Sequence, residues 1–154
     1  MKKIEIKKGQ VLQKKGDFNS KVYEVKSGLL RSYLIDNKGK EHIYMFAPEN
    51  WIIADGVDPK TPSVLFIDAL EDSVIIQREK DVSTVSETGK LIKRLEVLQH
   101  RVMLLLSASA IERYENFLET YPEIVQRVPQ KMIASYLGIT PEALSHAKRL
   151  RLRN

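Results

Sequence analysis

The stretch Pro129–Arg149, PQKMIASYLGITPEALSHAKR, reads as two short helices broken at one glycine. It is open to two readings, a hairpin of core helices or a helix-turn-helix that reads DNA. A helix-turn-helix crosses steeply through a turn of a few residues, often with glycine. Gly138 can take the positive φ of that turn without steric cost, and Ala134 is small where the backbones approach. Ile133 and Leu137 predict the inner face of the first helix, with Leu144 and Ala147 on the inner face of the second. Ile139 follows the turn, Thr140 is a good N-cap, and Pro141 suits the first helical position. Glu142, Ser145, His146 and Arg149 are left on the outer face, with Thr140 at its start. A buried hairpin would want apolar residues there. A polar face followed by Lys148, Arg149, Arg151 and Arg153 favours entry into a major groove, with Lys and Arg neutralising phosphates.

The charge distribution points the same way. The chain has 154 residues and a net charge of +5. Residues 127–154 hold six bases (Arg127, Lys131, Lys148, Arg149, Arg151 and Arg153) and one acid, Glu142, a net of 6 − 1 = +5; the preceding 126 residues hold 19 of each sign. A localised basic end fits a polyanionic partner, the bland alternative being a solvated tail. At 43% hydrophobic and 29% charged residues, the composition is that of a globular protein of one ordinary domain or two small ones. No apolar run approaches the ~18 residues of a membrane span. The N-terminal MKKIEIKKG lacks the apolar run of a signal peptide, so a cytoplasmic location is expected, with no membrane partner. There is no cysteine, which excludes disulfides, cysteine zinc sites and cysteine-ligated iron–sulfur clusters.

Upstream, the period is that of strands. Lys3–Lys7 alternates; Val22–Val25 meets a Ser27-Gly28 turn; Leu29–Ile35 and His42–Ala47 flank the hairpin loop Asp36–Lys40; Val64–Ala69 and Ser73–Gln77 follow. Short strands at regular turn signals predict an antiparallel sandwich or barrel. After Asp81 the period changes. Leu91, Leu95, Leu98, Val102 and Leu105 recur at spacings 4, 3, 4, 3, a heptad stripe. Leu104, Ala108 and Ile111 widen it. The stripe favours a dimer interface over a helix buried within its own domain. Ser83 or Thr84 is a candidate cap, Glu87 completing a capping box from Thr84. The helical pattern is expected to continue through Ile111–Leu118, with Pro122 opening a new short helix. The fold class is therefore α+β: an N-terminal antiparallel, jelly-roll-like β-roll over 1–80, a long dimerisation helix over 81–110, and an all-α helix-turn-helix end over 111–154.

Enzymatic readings find little support. A cupin-like barrel places two or three histidines and a carboxylate round a metal, but the strand half holds one histidine, His42, beside Glu41. His100 is expected to face solvent, and His146 belongs to the outer face already described. No phosphate-cradling glycine loop or Ser/His/Asp set is present. No cofactor or metal is expected. A third class, a β-roll binding or interaction module whose helical end only dimerises, would make the basic end incidental.

With these elements in this order, the chain resembles the Crp/Fnr transcription regulators, and more closely their Bacteroidetes-like branch. The resemblance is carried by VPQKMIASYLGITPEALSHAKR, by RYENFLETYPEIVQRVP before it, and by KKGQVLQKKGDFNSKVYEVKSGLLRSYLIDNKGKE in the first half. It implies a cyclic-nucleotide-binding-type β-roll and a homodimer on a palindromic operator of double-stranded DNA, with half-sites ~34 Å apart. It also places RNA polymerase and a small-molecule effector among the expected partners. Base edges would be read by Thr140, Glu142, Ser145, His146 and Arg149, and phosphates held by Lys131, Lys148, Arg151 and Arg153. Glu142 matches an acidic position able to accept from cytosine N4, whereas Pro141 and His146 stand where relatives often carry arginine.

Two departures bear on mechanism. Relatives carry a helical lead-in and a β-hairpin wing beside the helix-turn-helix; only Val125–Val128 precede the motif here, so affinity is expected to lean on the recognition helix and basic end. In the sensing segment FAPENWIIADGVDPKTPSVLFIDALEDS, Ala54-Asp55 replaces the Gly-Glu pair of cyclic-nucleotide binders, and Pro62 stands where their arginine would be. Lys60 is the one cation in that segment. An Asp55 with no cation opposite would repel a phosphate, so no cyclic-nucleotide binding is expected. Tyr44, Trp51 and Asp55 are candidates to line a pocket for another effector, ordinary core being the alternative for the two aromatics.

Overall fold

The described residues hold eight strands, most of them from the alternating runs: β1 (Lys2–Ile6), β2 (Val11–Gln13), β3 (Val22–Ser27), β4 (Leu30–Ile35), β5 (Glu41–Ala47), β6 (Ile52–Ala54), β7 (Phe66–Ala69) and β8 (Ser73–Arg78). The computed structural model describes residues 1–81 and 88–154. The chain divides into two compact units, residues 1–82 and 83–154, so both helical segments share one unit.

In the first unit the strands form two antiparallel sheets, ordered β1-β8-β3-β6 and β2-β7-β4-β5. Alternation decides which side chains meet between them. Tyr23 and Val25 of β3, Ile53 of β6 and Ile75 of β8 are buried, and pack with Leu30, Ala47, Ile67 and Ala69 of the other sheet. Strands β2 and β6 are only three residues each, too short to show a period, and the sequence reading missed them. The β3–β4 corner requires its glycine: Gly28 has φ +92°, and a Cβ there would lie 2.2 Å from Ser73 Oγ.

Strand β4 is buried from Leu30 to Tyr33 rather than at alternate positions. The cause is Arg31. Its Nε and Nη2 donate to the two Asp68 carboxylate oxygens at 2.8 and 3.1 Å, and Nη1 to Glu41 Oε2 at 2.7 Å. The guanidinium lies 4.1 Å over the Tyr33 ring, which stacks on Phe66. Burial works to lower the Arg31 pKa, but the bonds to Asp68 and Glu41 outweigh it and the net shift is upward. In the Asp36–Lys40 loop, Asp36 Oδ1 accepts from Lys38 and Lys40 N–H, and Oδ2 lies 2.8 Å from His42 Nε2, so His42 serves the hairpin.

The described residues of the second unit hold α1 (Thr88–Ser107), α2 (Ala110–Thr120), a 3-10 turn at Ile124–Gln126, α3 (Gln130–Leu137) and α4 (Pro141–Arg153). The candidate cap at Ser83, Thr84 and Glu87 lies outside the described residues. The expectation of a helix running on through Leu118 is corrected. α1 ends at Ser107 because Ser109 starts a new helix: Ser109 Oγ accepts from Glu112 N–H, and Glu112 Oε2 accepts from Ser109 N–H at 2.7 Å. This reciprocal pair is a capping box, and its Ser-x-x-Glu signature stands in the sequence. Among the described residues, no helix is long and apolar enough to cross a membrane.

Candidate nucleic-acid interface

Local chemistry sets the geometry of the α3–α4 unit. Gly138 adopts φ +67°, and its N–H and that of Ile139 return to the Ser135 and Ala134 carbonyls, closing α3. Thr140 then caps α4, its Oγ1 accepting from Ala143 N–H at 3.1 Å, with Pro141 in the first turn. Ile133, Ala134, Leu137, Leu144 and Ala147 are buried, together with Tyr114 and Phe117 of α2 and with Tyr121, Ile124 and Val128. The expected inner faces are thus the observed ones.

Thr140, Glu142, Ser145, His146 and Arg149 are all exposed. On α4, Glu142, Ser145, His146 and Arg149 share one stripe, because residues three, four and seven apart fall on one helix face. Arg153, four beyond Arg149, continues it. Arg151 lies about half a turn away by helical phase, on the side of Leu144 and Ala147. Its charge is felt there: burial raises the Tyr114 pKa and Arg151 opposes that shift. The bases grouped as phosphate contacts are therefore not equivalent. Lys131 and Arg153 are exposed; Lys148 is half-buried, its Nζ 2.5 Å from Gln130 Oε1 at the start of α3 and 5.7 Å from the Tyr114 ring centroid.

Along α1, Leu91, Leu95, Val102 and Leu105 are exposed in the single chain and Leu98 is half-buried. Ile92, Met103 and Leu106 are exposed as well. Leu91 and Leu95 keep 63% and 65% of their surface accessible, an arrangement costly in water unless something covers it.

Two arginines missing from the sequence reading tie α1 to the α3–α4 unit. Arg113 of α2 donates from Nη2 to Leu105 O at 2.8 Å, from Nε to Ala108 O at 3.1 Å and from Nη1 to Leu137 O at 3.1 Å. It thus meets the end of α1 and the end of α3 with one planar fork. Arg101 of α1 donates to Tyr136 O at 3.2 Å and lies 4.0 Å over the Tyr136 ring. Tyr136 in turn packs on Phe117 and, edge-on, on Tyr121. Spacing could have flagged the capping box beside Arg113; nothing in the sequence marks which carbonyls a guanidinium will reach.

The three candidate effector residues occupy different settings. Tyr44 is the extra residue where β5 shifts register against β4, between Ile43 and Met45. Trp51 packs against the β-roll core. Asp55 is buried, its carboxylate accepting from the Val64 and Leu65 N–H groups at 2.8 Å each. The Asp55 carboxylate is met by neutral donors, the two amides and Gln13 Nε2, while Lys80 Nζ bonds the Asp55 backbone carbonyl at 2.7 Å. Burial pushes the Lys80 pKa down, with Asp55 and Asp58 opposing it.

A two-sheet β-roll followed by a long helix and a helix-turn-helix defines a class of fold and site. Comparison with known proteins agrees. No protein-family model matches the chain. The anaerobic regulatory protein of Haemophilus influenzae is 26% identical, covering 94% of this chain and 64% of its own length. The fumarate and nitrate reduction regulatory protein of Vibrio cholerae is also 26% identical, covering 94% and 66%. The chain thus spans less than two thirds of the length of either. Among solved structures, FixK2 from Bradyrhizobium japonicum superposes with TM-score 0.81 at 21% identity, over 99% of this chain and 85% of that one. A CRP/FNR-family transcriptional regulator from Thermus thermophilus superposes with TM-score 0.71 at 15% identity, over 99% and 86%. On sequence and fold together, the chain is similar to the anaerobic regulatory proteins and shares the fold of the Crp/Fnr regulators.

Proposed function

We propose that the chain is a sequence-specific DNA-binding transcription regulator that acts as a homodimer in the cytoplasm, and that it is not an enzyme. The carrying observation is the polar, exposed stripe Glu142–Ser145–His146–Arg149 on a capped helix whose opposite face is buried. The names of the relatives, each a regulatory protein, support the reading. In it α4 enters the major groove, with Glu142, Ser145, His146 and Arg149 on base edges and Thr140 near the backbone at its start. Lys131, Arg153 and the half-buried Lys148 neutralise phosphates, and Arg151 reaches them from the far side of the helix. The apolar stripe of α1 pairs with a second copy, which sets two α4 helices on a palindrome about one DNA turn apart. RNA polymerase is the further partner through which such a dimer acts at a promoter.

The test joins a salt titration on random duplex DNA to selection of sites from a random pool. A palindromic consensus with an affinity falling steeply with salt is the expected result. Negligible binding at low salt would overturn the reading and leave the β-roll as the working part.

A further inference from the structure

The loop between β6 and β7, residues 55–65, is built around one carboxylate. Asp55 is 3% exposed. Its Oδ2 accepts from Val64 N–H and Leu65 N–H, both at 2.8 Å, and from Gln13 Nε2 at 3.3 Å; its Oδ1 faces Val57 N–H at 3.4 Å. Consecutive backbone N–H groups converging on one point form an anion-binding concavity. Bonds from such donors to an ionised oxygen are shorter and roughly twice as strong as neutral ones.

The surroundings hold the loop in that shape. Gln13 uses the same Nε2 to bond Leu65 O at 2.8 Å. Lys80 Nζ donates to the carbonyls of Asp55 and Val57 and to Ser20 Oγ, at 2.7, 2.8 and 2.7 Å. Ser63 exchanges backbone bonds with Gly16 and Asp17, and Asn19 N–H bonds Pro59 O, which pins the loop to residues 14–19. A carboxylate buried this deeply is stable only when its oxygens are matched by donors. Here every donor comes from the chain itself, so the two amides already hold the anion that their geometry calls for.

We propose that the 55–65 loop is an anion site whose ligand is the protein's own Asp55 carboxylate, so that it is ordered without, and closed to, small phosphate- or carboxylate-bearing molecules. Any effector of the β-roll is then not anchored by an anionic group at Val64 and Leu65. This holds whether or not the chain binds DNA.

The test is chemical rescue. In the full chain, Asp55→Ala removes the internal anion and leaves two amides unmet, that of Leu65 buried and that of Val64 part-buried. The β-roll melting temperature is expected to fall by roughly 10 °C. A formate titration at constant ionic strength is expected to restore at least half of that loss, because formate replaces the missing group. The wild type is expected not to respond to formate, inorganic phosphate or cyclic AMP. Asp55→Asn keeps an acceptor oxygen and is expected to melt between the two, without formate rescue. A second measurement needs no variant: in the wild type, the Val64 and Leu65 amides are expected to resist hydrogen exchange and to keep their NMR positions when phosphate or cyclic AMP is added. The proposal is overturned if those amides exchange as an open loop does, if either probe shifts them in the wild type, or if formate moves wild type and Asp55→Ala equally. Should Asp55→Ala fail to fold in chloride, recovery of strand signal in formate supports the proposal and its failure to recover counts against it.

Discussion

Arg113 offers the most exacting test of how the helical unit is held. Its three bonds reach Leu105, Ala108 and Leu137, carbonyls at the end of α1, in the following turn and at the end of α3. A hydrogen bond from a charged donor contributes about 1.5–3 kcal/mol when well buried. Arg113 is half-buried and its bond to Leu105 is exposed, so the three together are discounted to about 2–4 kcal/mol. The second unit has 154 − 82 = 72 residues. For a unit of that size each kcal/mol moves the melting temperature by ~4–8 °C. Arg113→Ala should therefore lower the helical transition by about 10–30 °C, followed by circular dichroism. Arg113→Lys offers a single ammonium in place of a planar fork, keeps one or two of the bonds, and should lose about half as much. Where wild type and Arg113→Lys are both folded, the lysine variant should bind a palindromic site more weakly than wild type while binding an isolated half-site equally. An Arg113→Ala variant melting within a degree or two of wild type would refute the energetic argument. Unchanged palindrome binding by Arg113→Lys would refute the positioning argument even if stability fell.

Three further outcomes are expected. Glu142→Ala should relax selection at one base position, whereas Lys131→Ala should weaken all sequences alike and reduce the salt slope by about one; selection and salt titration of both variants distinguish them. Leu95→Glu changes a residue exposed in the single chain, so a monomer should tolerate it within about half a kcal/mol, while a dimer seam would not; sedimentation should show a monomer, and an unchanged dimer would move the interface elsewhere. Glu112 has its pKa lowered, first by the Ser109 N–H and then by the Ser109 hydroxyl. A depressed folded-state pKa stabilises above the ordinary glutamate range and ceases to do so as pH falls through the folded value. Urea midpoints of Glu112→Gln should therefore lose part of the acid dependence seen in wild type, and parallel curves would show that the capping box does not titrate.

Legibility in the sequence followed the range of the interactions involved. The α3–α4 unit was readable because each of its parts is decided within about four residues: a glycine for the left-handed turn, a threonine cap, a proline in the first turn, and apolar residues at helical spacing. The longer strands were readable by their alternation, and β2 and β6 were not, since three residues hold no period. Two features escaped the local pattern. The α1–α2 break was encoded locally at Ser109 and Glu112 but was masked by an apolar pattern that runs on through Ile111. The state of Asp55 depends on Val64, Leu65 and Gln13, partners 9, 10 and 42 positions away, and no local pattern reports them.

The same limit separates the two faces of α1. Its leucines announce a seam by spacing alone, whereas Arg101 shows its role only once Tyr136 is placed beside it. Successive residues on a helix point about 100° apart, so Arg101 and Val102 leave α1 in different directions. Val102 belongs to the stripe assigned to a second copy, and Arg101 holds the carbonyl and ring of Tyr136 in α3. Once α1 pairs through that stripe, the roll of the helix about its own axis is set by the leucines. The direction in which Arg101 presents α3, and therefore α4, follows from that roll. Arg113 bonds the end of the same helix and the end of α3, so neither can turn without breaking its bonds. In the proposed dimer, the spacing of two half-sites would then be a property of α1 pairing carried through two guanidinium groups. It does not need to be specified by any residue that touches a base.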